Sequence, residues 1–423
     1  MQTPTKSNKP TTGTNLEYAR LHNRRVVLEA IRQAERLTRA DLTRITSLTA
    51  QTISNIVAEL LDESKLSAHA PEKTARGQPP IPLSINPDGG YSIGFHVEQH
   101  QIVGVLLDLK GVTRDRRIFS VSYPTFAEAL PVLMKGVASF RRKVKAERML
   151  GIGIALPGPF GVEGMSAIGP TAMPGWDDPA SLALLRDMAG LSVLMENDAT
   201  AAAMGERLYG IAGGLKDFAY LFVGHGLGAG LYLDNHLYSG HWRNAGEIGH
   251  VVVTPKGKPC YCGKRGCLER YVSGASLLEH LGIGADRNLS DLNLSDRKYA
   301  TGIKRWLAEA APALCHAVGM LESLLDPETI LVGGMLSNDI LERLIKQSLP
   351  LPPSVRRATV AGKGALVSPI TVTWSKVAVA VIPLWLALRA KPTNTWVGNT
   401  VVWGSPFSNT CQVLGTPLLS VAQ

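Results

Sequence analysis

The chain has 423 residues, 45% of them hydrophobic and 19% charged, with a formal net charge of +9. That balance excludes a disordered or fibrous chain and supplies apolar material for about two to three domains. The first residues are polar, with no secretory leader, and the longest apolar run, 377–388, is too short to span a bilayer. A reducing cytoplasm is the expected setting, with no membrane partner, and the positive charge favours a polyanionic partner such as nucleic acid.

Residues 1–14, rich in Thr, Pro, Lys and Asn, read as a disordered arm. Leu16, Leu21, Val26, Val27, Leu28 and Ile31 then mark one face of a helix. Thr38 with Asp41 three residues later opens a short second helix as a capping box. Thr49 caps a third, whose apolar positions are Ala50, Ile53, Ile56, Val57, Leu60 and Leu61. Helix, short helix, turn and helix is the helix-turn-helix layout. The third helix presents Thr49, Gln51, Thr52, Ser54 and Asn55, short polar side chains suited to base edges in a major groove. Basic residues around it, Arg39 among them, suit phosphates. Residues 73–80 read as the turn of a wing, with Arg76 placed for a minor groove. The bland alternative is a three-helix packing module with a solvated basic face.

From about residue 89 the pattern changes to strands alternating with helices, an α/β domain in two lobes. Residues 91–97 and 101–108 read as paired strands, 128–145 as a helix and 151–156 as a buried strand ending at Pro157-Gly158-Pro159. Residues 193–198 form a strand that opens into an Ala-rich helix at 199–209, with Asn197 and Asp198 at the junction. Strands at 218–223 and 230–233 bracket the glycine-rich turn Gly224-His225-Gly226-Leu227-Gly228. Helices at 276–281 and 304–325 and a strand at 330–334 follow, and the tail 391–423 carries only weak patterns.

Between these elements lies Cys260-x-Cys262-x4-Cys267, with His250 ten residues before the first cysteine. Three thiolates and an imidazole make up the four ligands of a tetrahedral zinc site. Gly257, Gly263 and Gly266 allow the backbone to fold tightly around an ion. Three free thiols are the competing reading; a disulfide does not suit a cytosolic chain. Cys315 and Cys411 read as buried small hydrophobes.

The run Ala245-Gly246-Glu247-Ile248-Gly249-His250, followed by Cys260-x-Cys262-Gly263-x-x-Gly266-Cys267-Leu268-Glu269, resembles the zinc and sugar signature of the ROK family of repressors and sugar kinases. Glu196-Asn197-Asp198-Ala199, Pro157-Gly158-Pro159 and Pro174-Gly175-Trp176 also resemble family segments, and the N-terminal helices resemble the repressor branch. The resemblance implies a winged helix-turn-helix over residues 15–88 and an actin-like (ribonuclease H-like) two-lobed sugar-kinase-type domain over 89–390, with a structural zinc loop at 250–267. It further implies that Asn197, Asp198, Glu247, His250 and Glu269 bind sugar hydroxyls. His250 would use one ring nitrogen for zinc and turn the other to the sugar. Asp198 matches the catalytic base of family kinases.

The departures separate regulator from enzyme. Family kinases approach ATP phosphates with Asp-x-Gly-Gly-Thr; here His96-Val97-Glu98-Gln99-His100 stands instead, and His225 replaces a threonine of the second phosphate loop. Glu98 repels an anion, and close backbone approach to phosphate needs glycine. His96 and His100 are expected on a surface hairpin in preference to a second metal site. In the helix-turn-helix, Ser47 and Ser64-Lys65 stand where the family often has glycine. The expectation is a non-enzymatic transcriptional repressor of carbohydrate genes, a homodimer or homotetramer on a double-stranded DNA operator, with a sugar or sugar derivative as effector. The alternatives are an ATP-dependent sugar kinase and a regulator controlled by a protein partner.

Overall fold

A computed structural model describes residues 16–71, 79–158, 173–176, 178–284, 287–348 and 368–369. The arm at 1–14, the wing turn with Arg76, Pro159, Cys411, the 377–388 run and the tail 391–423 lie outside the described residues.

The first unit is a small head. Helix α1 (Leu16–Ala34) packs on α2 (Arg39–Thr46) and α3 (Ala50–Asp62), and strands β1 (Leu66–Ala68) and β2 (Leu83–Ile85) pair antiparallel behind them. The Thr38/Asp41 capping box forms, and Thr49 caps α3 by accepting from the Thr52 N–H. Both caps satisfy amide groups that a helix start leaves without an intrahelical partner. Val27, Leu28, Ile31, Leu42, Ile53, Val57 and Leu60 close the head's core. Ser47 ends α2 in the left-handed region at φ 57°, as a tight turn between α2 and α3 demands.

Two five-stranded sheets follow, and they share one topology. In the first, β3 (Tyr91–Val97), β4 (Gln101–Asp108) and β5 (Thr113–Ser120) form an antiparallel meander, and β6 (Met149–Leu156) and β7 (Val193–Asn197) add in parallel, giving the order β5-β4-β3-β6-β7. The second repeats it with β8 (Phe218–Val223), β9 (Leu227–Leu233), β10 (His236–Leu237), β11 (Thr329–Gly334) and β12 (Ser368–Pro369), in the order β10-β9-β8-β11-β12. This is the two-lobed, actin-like α/β architecture. Helices α4 (Phe126–Arg141) and α5 (Pro179–Ala189) cover the first lobe; α7 (Gly274–Leu281), α8 (Ala300–Leu325) and α9 (Asn338–Ser348) cover the second.

Helix α6 (Asp198–Tyr209) lies between the lobes. Its residues Ala199, Ala201, Ala202 and Ala203 share one buried cluster with Val103, Val105 and Leu107 of β4 and with Phe218, Tyr220 and Phe222 of β8. Small side chains are required there: a Cβ on Gly230 of β9 would lie 2.4 Å from the Ala203 Cβ. The alanines in this stretch are therefore set by sheet-to-helix distance as much as by helix propensity.

Three expectations need correction. The glycine-rich turn is shorter than expected, because Leu227 and Gly228 already belong to β9. Cys315 on α8 is half-buried. The 96–100 hairpin is not on the surface: His96 is 1% exposed, Glu98 5% and Gln99 3%, because β3 is a central strand whose end faces the second lobe.

Candidate functional site

The strand β7 ends at Asn197, whose Oδ1 accepts from the N–H groups of Ala199 and Thr200 and so caps α6. Asn197 is thus a helix cap, and this role fixes it at the mouth between the lobes. A Cβ on Gly158, at the end of β6, would lie 2.5 Å from Asn197 Nδ2 and 3.5 Å from Glu247 Oε1. Glu247 comes from the second lobe, so these three residues bring the lobes together. Asp198, the first residue of α6, is half-buried, and its Oδ1 accepts from the Ala199 N–H. Glu269 is 6% exposed, and its Oε2 accepts from the Leu227 N–H at 2.9 Å.

Burial raises the Asp198 carboxyl to about 6, against an opposing pull from His96. Burial, with Asp198 and Glu269 nearby, raises Glu247 to about 7. Near neutral pH this cluster therefore holds both protonated and ionised carboxyls, hydrogen-bond donors and acceptors together. Sugar hydroxyls, which both donate and accept, match such a mixture.

Two residues not assigned from the sequence complete the floor. His96 Nδ1 lies 2.9 Å from Glu98 Oε1. Burial pushes this imidazole down, but Glu98 and Asp198 outweigh it and hold it above its usual range. On the facing turn, burial and His100 depress His225 to about 4, so that imidazole is neutral. The signal for His96 was its place at the end of a central strand.

His250, Cys260, Cys262 and Cys267 converge, with one donor atom from each within 4.8 Å of the others. Cys260 Sγ lies 3.7 Å from His250 Nδ1, and Cys262 Sγ lies 3.6 Å from Cys267 Sγ. Zinc–sulfur bonds of about 2.3 Å at a tetrahedral angle place sulfurs about 3.8 Å apart, so the donors fit such an ion. The sulfur separation is far longer than a disulfide bond. Gly266 makes the loop possible: at φ +81°, a Cβ there would sit 1.7 Å from the Thr254 carbonyl oxygen. The remaining His250 nitrogen, Nε2, lies 3.3 Å from the Tyr261 hydroxyl. Among the described residues, this is the one grouping of three or more such side chains that could hold a metal.

In the head, Thr49, Gln51, Ser54 and Asn55 are exposed, and Thr52 is half-buried. Gln51 Nε2 donates to Asn55 Oδ1 at 2.9 Å, which aligns two amides on one face of α3. Arg39 is half-buried at the start of α2. Part of the basic excess is used internally: Arg24 pairs with Glu59 and Glu63, Arg20 with Glu59, and Arg44 with Asp41.

The sequence profile of the ROK family matches residues 92–351. The chain is 30% identical to the xylose repressor of Bacillus subtilis (strain 168) over 261 residues, covering 61% of this chain and 67% of that one. It is 27% identical to the DNA-binding transcriptional repressor Mlc of Escherichia coli (strain K12) over 367 residues, covering 79% and 86%. The crystal structure of a ROK family transcriptional regulator, a homolog of E. coli Mlc, superposes with a TM-score of 0.65 at 22% identity, over 88% of this chain and 96% of that one.

Proposed function

The chain belongs to the ROK family, and from that premise we propose that it is a DNA-binding transcriptional repressor that senses a sugar or sugar derivative between its lobes. The observation that carries this reading is the convergence of Asn197, Asp198, Glu247 and Glu269 in a chain that also presents the exposed polar face of α3. The relatives named as repressors support it.

In this reading Asn197, Asp198, Glu247 and Glu269 bind hydroxyls, and His250 forms the adjoining wall. His250 Nδ1, Cys260, Cys262 and Cys267 hold a structural zinc; when bound, the ion supplies the cross-link that ties both ends of the 250–267 loop. The Tyr261 hydroxyl at Nε2 then sets the ring's orientation. Thr49, Gln51, Thr52, Ser54 and Asn55 read base edges, with Arg39 and Arg76 on the backbone and in the minor groove. A symmetric dimer or tetramer in the cytoplasm places two heads on a palindromic operator.

Asp198 favours a second reading, a sugar kinase, because a carboxyl near 6 beside a bound hydroxyl serves as a general base. The facing turns speak against it. The second turn keeps Gly224, Gly226 and Gly228, but the first turn has no glycine and carries the buried Glu98, whose carboxyl disfavours a phosphate there. One preparation tests both. We expect sugars from a panel of pentoses, hexoses and N-acetylhexosamines to shift its melting temperature and to alter its affinity for duplex DNA selected from a random pool. ATP-dependent turnover of any of these sugars, abolished by Asp198→Asn, would overturn the non-enzymatic reading.

A further inference from the structure

We infer that α6 couples the occupied cleft to the angle of the DNA-reading head, with Arg207 and Tyr209 as its points of contact. This rests on the sugar-sensing, DNA-binding reading above and adds the route between its two sites.

The N-terminal end of α6 is the cleft: Asn197 caps it and Asp198 begins it. The helix has 12 residues, about 18 Å from end to end. Its C-terminal end meets the head. Arg207 Nη1 lies 3.7 Å from Glu29 Oε1 of α1, and the Arg32 guanidinium sits 5.8 Å from the centre of the Tyr209 ring. Arg207 is also fixed to the second lobe, since Nη1 donates to the Gly213 carbonyl and Nη2 to Asn235 Oδ1, each at 2.7 Å. One side chain thus links α6, the second lobe and the head.

The head has a different anchor on the first lobe. Leu109, just beyond β4, is buried in the head's own core, and its N–H donates to the Pro87 carbonyl. Lys65 Nζ donates to the Gly89 carbonyl beside it. This anchor is apolar and closely packed, whereas the α6 contact is an ion pair and a cation–π contact, which tolerate small displacements. The alanine face of α6 packs on both lobes, on β4 and on β8 and β9, and is tightest at Gly230 and Ala203 of the second. Tyr209 lies close on Gly111 of the first lobe, whereas Arg207 ties Asn235 of the second lobe to Glu29 of α1, so a rotation of the second lobe relative to the first pulls on α1 through Arg207 while the Leu109 anchor holds. A sugar that bridges Asn197 and Asp198 to Glu247 favours one such rotation, and the head tilts with it.

The test measures operator affinity by fluorescence anisotropy, on a duplex selected from a random pool, with and without the panel sugar that gives the largest thermal shift. The wild type is expected to show a ratio between the two conditions of about tenfold or more. Arg207→Ala and, from the head's side, Glu29→Gln should bring that ratio to within about twofold of unity. Sugar-free DNA affinity and the sugar-induced thermal shift should remain. Arg207→Lys, which keeps the charge but not the fork, should give an intermediate ratio. A ratio as large as the wild type's in both Arg207→Ala and Glu29→Gln overturns the coupling. A wild type that selects no duplex or responds to no sugar sinks the sensing reading, and the coupling with it.

Discussion

Asp198 and Glu247 keep their protons to a higher pH in the folded protein than in the unfolded chain. Their folded values, about 6 and about 7, lie above the ordinary carboxylate range because burial disfavours the charge. Between the unfolded and folded values the folded state binds more protons, so the stability of the sugar-free protein falls as pH rises through that window. From pH 5 to pH 8 we expect a loss on the order of 1–3 kcal/mol from the pair. Glu247→Gln removes part of that slope and should make the sugar-free protein more stable than wild type at pH 8. Denaturant titrations at the two pH values measure both effects, and parallel wild-type and Glu247→Gln profiles would contradict the assignment. The identities of Asn197, Asp198, Glu247 and Glu269 were legible in the sequence because each stands in a short motif. The protonation of Asp198 and Glu247 was not, since it depends first on burial between the lobes. The ion pair of His96 with Glu98 escaped for the same reason: a histidine-rich turn looks solvated until a second sheet is placed against it.

At the scale of single elements, local chemistry was readable and packing was not. The Thr38/Asp41 box and the Thr49 cap appear where hydrogen-bonding logic puts them. A capping box at Thr125 and Glu128 starts α4 two residues earlier than its apolar pattern indicated. The helix α5 and the strand β5 gave no clear period: β5 is a mostly exposed outer strand, and α5 buries only Leu185 and Ala189. Ser47 at φ 57° is one of three left-handed residues in the described head, with Glu35 and Ser64. Ser47→Gly relieves a left-handed conformation that costs an ordinary residue about 1 kcal/mol. It should raise the free energy of head unfolding by about 0.5–1 kcal/mol, read by urea denaturation followed at α1–α3. The 250–267 loop has the opposite character, with little regular structure. Cys262→Ala leaves three donors, so metal content measured by atomic emission should fall well below wild type. Protease cleavage within 250–267 should then accelerate. Wild-type metal content and cleavage rate in that variant would refute the four-ligand assignment.

For the whole molecule, the shared strand order of the two lobes was beyond any local reading. The β8–β11 pair joins residues such as Phe218 and Thr329, and nothing near either strand announces the partner. The consequence is functional, because the twin sheets place β6 of one lobe opposite Glu247 of the other. Gly158, just beyond β6, lies between Asn197 and Glu247 there. A side chain there has two options: displace Asn197, which frays the first turn of α6, or stand between the lobes, which holds the cleft open. Either way the groups proposed to grip a sugar no longer meet. Gly158→Val should therefore weaken sugar binding by about 10- to 100-fold, equivalent to about 1.4–2.8 kcal/mol. The head's core meets β6 at Leu150, at the opposite end of the strand from Gly158, so sugar-free DNA affinity should change far less. Calorimetry for the sugar and anisotropy for the duplex separate the two. If Gly158→Val bound the sugar as wild type does, the ligand would have to sit elsewhere than between Asn197 and Glu247. If it lost both affinities together, the lobe interface would be supporting the head directly, without needing the cleft to close.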